Sequence, residues 1–79
     1  MSAKAITIEI AEVTDKQFEA IKVDLEKFTN KSWNMSNKRV SIQINDFLLP
    51  LSEVEVYFPS LKIISIDEKT RTLKASPKN

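Results

Sequence analysis

The chain has 79 residues, 42% apolar and 29% charged, with a net charge of +1 and no cysteine, histidine or glycine. That is the size of one domain, near the lower limit for a core without staples, and it excludes disulfides and thiolate metal sites. Glycine-rich phosphate loops and nucleophile elbows need a residue without a Cβ, and histidine is the usual general base near neutral pH, so those chemistries are excluded too.

In chain order, Met1 to Val13 alternates apolar and polar residues and lacks the continuous apolar stretch of a signal peptide. Ile6, Ile8 and Ile10 fall on one face and Thr7 and Glu9 on the other, the period of a half-buried strand. Thr14 and Gln17 are spaced as a capping box, with Asp15 a favourable charge in the first turn. Phe18, Ile21, Leu25 and Phe28 then line one helical face, predicting a helix from Asp15 to about Phe28 that stops at Thr29-Asn30.

Residues 30–38 are expected to form a polar loop around Trp33 and Met35, with Asn30, Asn34 and Asn37 taking any left-handed positions. Arg39 to Asn45 alternates again, with Val40, Ile42 and Ile44 inward, and is a second strand. Residues 46–61 carry two patterns. Glu53 to Phe58 alternates like a strand, whereas Leu51, Val54, Phe58 and Leu61 are spaced for a helix and Ser52 with Glu55 forms a capping box. The box favours a short helix from Glu53 to Phe58, which Pro59 would end. Lys62 to Asp67 and Arg71 to Ser76 are a third and fourth strand. Asp67-Glu68-Lys69-Thr70 would join them in a type I loop, because glycine-dependent two-residue turns are excluded. Residues 76–79 should fray.

The order β-α-β-(short α or β)-β-β predicts a single α+β domain: a two-layer sandwich with one long helix across a mostly antiparallel four-stranded sheet. Strands joined through a helix are expected to run parallel, either adjacent or with a later strand inserted between them. The expected core is Ile6, Ile8, Ile10, Phe18, Ile21, Leu25, Phe28, Val40, Ile42, Ile44, Phe58, Leu61, Ile64, Ile66 and Leu73. The opposite sheet face, with Thr7, Glu9, Ser41, Gln43, Asn45, Ser65, Thr72 and Lys74, would be polar and wet. It lacks the outward aromatics on which RNA-binding sheets stack bases.

No set of residues converges for catalysis. Glu55 reads as a cap partner and Asp67-Glu68 as turn chemistry, so neither an enzyme nor a cofactor or metal site is expected. The longest apolar run, Phe47 to Leu51, is far short of a membrane span and contains Pro50. Cytoplasmic residence is the expectation, and the richness in lysine, isoleucine and asparagine suggests an AT-rich bacterial or phage genome.

Charge is segregated along the chain. Residues 30–45 hold Lys31, Lys38 and Arg39 with no acid, giving +3, residues 46–68 sum to −4, and the tail from Lys69 adds +4. The segment 30–39 joins Trp33 to three cations, and two placements suit it. Trp33 could anchor a protein partner while Lys31, Lys38 and Arg39 meet its acids, or Trp33 could fold back as a lid over the helix end or sheet edge. Lys69, Arg71 and Lys74 would extend this patch only if the second and fourth strands were neighbours. The leading expectation is a non-catalytic protein–protein interaction module, a small inhibitor or accessory factor of phage or mobile-element origin. A weak, sequence-independent nucleic-acid binder using the 31–39 and 69–78 cations is the alternative, although the isoelectric point of about 8.0 is below the roughly 9 usual for such domains. A homo-oligomeric structural subunit built through a strand edge is a second alternative.

Overall fold

The computed structural model describes residues 4–78. It contains β1 (Ile6–Ile10), α1 (Asp15–Leu25), β2 (Lys31–Ser36), β3 (Arg39–Ile44), a 3₁₀ turn at Leu51–Glu53 running into α2 (Val54–Tyr57), β4 (Leu61–Asp67) and β5 (Thr72–Pro77). The α+β class is as expected, with five strands in place of four. They form one mixed sheet in the order β2-β3-β1-β5-β4, in which only β1 and β5 are parallel neighbours. Both helices pack on the isoleucine face, leaving the other face open.

α1 begins as its sequence dictates. Thr14 Oγ1 accepts from the Gln17 N–H at 3.2 Å, and Gln17 Oε1 accepts from the Thr14 N–H at 3.0 Å. The last turn tightens, with Lys27 N–H bonding Asp24 O and Phe28 N–H bonding Leu25 O, so helical winding reaches Phe28. The helix buries Phe18, Ile21 and Leu25 against Ile6, Ile8, Ile10, Val40, Ile42, Ile44 and Leu73. Each such aliphatic side chain contributes about 1.5–3 kcal/mol when fully buried.

The expected loop over residues 30–38 is instead β2 and a two-residue turn. β2 pairs antiparallel with β3 from Lys31↔Ile44 to Ser36↔Arg39. The turn residues Asn37 and Lys38 have φ of 54° and 62°. A two-residue turn therefore forms without glycine: both left-handed positions are filled by side-chain-bearing residues, and Lys38 O accepts the Val13 N–H at 2.8 Å. Of the three asparagines expected to be left-handed, only Asn37 is; Glu12, Asp46 and Arg71 supply the other positive φ values.

The extra strand also corrects the strand directions. The two strands read from the sequence on either side of α1, β1 and β3, are adjacent and antiparallel, not parallel. The first strand after the helix is β2, which runs parallel to β1, and β3 returns between them. The helix-crossover rule thus holds for the strand that the sequence pattern concealed.

The short helix within residues 53–58 is present as α2, but Ser52 and Glu55 do not cap it. The 3₁₀ turn has Pro50 at its N-cap and no side-chain cap bond. Glu55 reaches instead to β4, where Oε2 accepts the Ile63 N–H at 3.1 Å. Between Ile63 and Ser65 the register of β4 on β5 shifts, a bulge that takes Ile64 out of the alternation. Ile64 is 65% exposed and does not join the core as expected. Ile66 faces Leu73 but stands on the edge strand, 40% exposed. Phe28 is half-buried, and Val13, Phe47, Leu51, Val54 and Ala75 complete the interior. The four residues Glu68 to Arg71 close the β4–β5 hairpin, and Asp67 Oδ1 accepts the Lys69 N–H at 3.0 Å. Ser76 and Pro77 belong to β5, and Lys78 N–H bonds Ser60 O, so regular structure extends past the expected start of fraying; Asn79 lies outside the described residues.

Candidate functional site

β2 is the element that gathers the residues singled out in the sequence, and its hydrogen-bond phase fixes where each one points. Paired residues of an antiparallel ladder alternate between bonded and non-bonded positions. Asn45 N–H donates to Asn30 O at 2.9 Å, which makes Asn30, Ser32, Asn34 and Ser36 the bonded partners of β3. The N–H and C=O groups of Lys31, Trp33 and Met35 therefore point away from the sheet, along its free edge. Their side chains lie on the helix side, opposite the buried Ile44, Ile42 and Val40.

Trp33 is both lid and surface. Its ring meets Phe18 edge-on, with centroids 4.9 Å apart and planes at 71°, yet the residue remains 45% exposed. Lys22 Nζ stands 5.2 Å from the Phe18 ring centroid and is itself paired with Glu19 at 3.2 Å, so its charge is locally balanced. Lys31 Nζ donates to Phe28 O at 2.9 Å, satisfying a carbonyl at the end of the helical winding. Lys38 projects from the turn. Arg39, opposite Ser36, is on the far face of the sheet. The hairpin thus gathers Lys31, Trp33, Lys38 and Arg39 on one rim of the molecule but divides them between its two faces.

The second basic group is dispersed. Arg71 is structural: Nε bonds Ala5 O at 3.2 Å and Nη2 bonds Phe47 O at 2.8 Å. Lys69 lies in the hairpin loop. Lys74 is on the open sheet face, separated from β3 by β1, whose Glu9 is paired with Ser41 on one side and Lys74 on the other. The strands that would have merged the two patches are therefore not neighbours. One end of the open face is a shallow concavity of about 740 Å³, in which Glu9, Asn34, Arg39 and Lys74 stand with Ala11 and Ile64.

A second concavity of about 390 Å³ lies at the other end of the β2–β3 hairpin, walled by Phe28, Phe47, Leu48, Leu49 and Tyr57 and flanked by Lys27 and Asp46. Leu48 is 77% exposed above it. The apolar run from Phe47 to Leu51 was the sequence signal for this feature, but only the fold brings Phe28 and Tyr57 beside it, with ring centroids 5.9 Å apart. Among the described residues, no three carboxylates come together as metal ligands, and no helix is long and apolar enough to cross a membrane. Comparison of the chain with protein-family models, curated proteins and solved structures gives no match, so the functional reading rests on the geometry of this rim.

Proposed function

We propose that this chain is a non-catalytic protein–protein interaction module that works by occupying a surface on a larger partner, as an inhibitor or accessory factor does. The observation that carries the reading is Trp33: the largest side chain in the protein stands half-covered on an open sheet edge, on a hairpin that also carries Lys31, Lys38 and Arg39. Tryptophan and arginine are the residue types that dominate binding energy when desolvated at the centre of an interface. Surrounding cations speed and orient the encounter with an acidic surface.

Trp33→Ala tests the reading because the ring is only partly packed. Its removal should destabilise the domain by about 1–2 kcal/mol, less than the roughly 3–5 kcal/mol lost with a fully buried aromatic. The variant should therefore still melt cooperatively while capture of the native partner from host extract falls. If the variant loses its cooperative melt, Trp33 is a core residue and the assignment fails.

A further inference from the structure

The two edges of the sheet are not equivalent. β4 carries the bulge between Ile63 and Ser65, and its Ile63 N–H is already taken by Glu55. Bulges and occupied donors close an edge to further pairing. β2 has neither. Its register with β3 is unbroken over six residues, it contains no proline, and among the described residues nothing pairs with the outward backbone groups of Lys31, Trp33 and Met35. Beside those groups Trp33 stands half-exposed on the helix side of the edge strand, where an added strand would cover it further.

Charge selects the occupant. Residues 30–45 hold three cations and no acid. A second copy laid along the edge would oppose cation to cation, and like charges across strands are destabilising. The geometry points to strand addition: the β2 edge takes an extended acidic segment of a partner protein, with its apolar residues against Trp33 and Met35 on the helix side and its carboxylates on the open face, toward Lys38 and Arg39. This rests on the chain being an interaction module and specifies how it would engage.

Amide hydrogen exchange on the intact protein tests it with a capped, strand-length peptide alternating valine and glutamate, beside the same peptide with lysine for glutamate. The glutamate peptide should slow exchange at Lys31, Trp33 and Met35 by about tenfold or more, and the lysine peptide should not. N-methylation of the glutamate peptide along its pairing edge should abolish the effect, while methylation along its other edge should leave it intact. Equal protection by both peptides, protection elsewhere, or none at these three amides overturns strand addition. Loss of native-partner capture in Trp33→Ala alongside such a negative result would leave the interaction module standing and remove only this mode of engagement.

Discussion

Asp24 is a buried carboxylate, 5% exposed, whose Oδ2 accepts the Ser60 N–H at 3.1 Å where the chain turns from α2 into β4. The nearby ion pair, Lys27 Nζ to Asp24 Oδ1 at 4.0 Å, has its lysine half in solvent and contributes little. The hydrogen bond, not the charge pair, is therefore the larger contribution. Asp24→Ala leaves a part-buried N–H unsatisfied and should destabilise the domain by about 1–3 kcal/mol. Asp24→Asn keeps an acceptor oxygen and should lose less, and Lys27→Ala, which removes the ion pair and an exposed bond from Lys27 Nζ to Tyr57 O at 3.0 Å, should cost under about 1 kcal/mol. Urea midpoints rank the three; a Lys27→Ala loss equal to that of Asp24→Ala would mean that the two contacts of Lys27, to Asp24 and to Tyr57 O, weigh as much as the Ser60 bond. At this scale the sequence exposed contacts between near neighbours and concealed the rest. The Thr14–Gln17 cap is legible because its partners are three residues apart. The Asp24–Ser60 and Glu55–Ile63 bonds depend on where the fold carries each carboxylate, and Glu55 was read as a cap for that reason.

Among the elements, α1, β1 and β3 were legible because each turns a continuous periodic row of apolar residues to the core. β2 was not, because an edge strand covered on one side by a single helix needs little such signal. Its inward positions are Lys31, Trp33 and Met35, none fully buried, and its remaining residues are serine and asparagine, which favour loops. β4 was legible as a strand over Lys62 to Asp67, but the bulge at Ile64 put that residue outside the expected core, since one inserted residue ends the alternation. The turn that creates β2 makes a direct prediction. A left-handed residue bearing a Cβ costs about 1–2 kcal/mol, of which glycine's greater freedom in the unfolded chain returns up to about 1 kcal/mol. Lys38→Gly should thus stabilise the domain by about 0.5–1 kcal/mol, raising the melting midpoint by roughly 2–8 °C. Its backbone bond to Val13 would be unaffected. A lowered midpoint would mean that the Lys38 side chain makes a stabilising contact of its own.

Across the whole molecule, edge geometry and charge distribution act together. A net charge of +1 gives almost no general repulsion, so local charge must keep the open β2 edge from pairing with itself. In an antiparallel arrangement of two copies about Trp33, the turn of one hairpin approaches the start of the other. Lys38 and Arg39 then approach Lys31, and at the short range of strand pairing this repulsion is only partly screened at moderate salt. The protein should accordingly remain a monomer in sedimentation at low ionic strength. Reversing one end, with Lys38→Glu and Arg39→Glu together, makes the same arrangement self-complementary: glutamates at the turn of each copy face Lys31 at the start of the other. The double variant should self-associate at low salt and dissociate as salt rises, with added amide protection at Lys31, Trp33 and Met35. Both substitutions are at exposed positions, and Glu12 already occupies a left-handed position elsewhere in the chain, so the fold should tolerate the change. If the original chain is already a dimer through β2, or the double variant stays monomeric, charge is not what keeps this edge free.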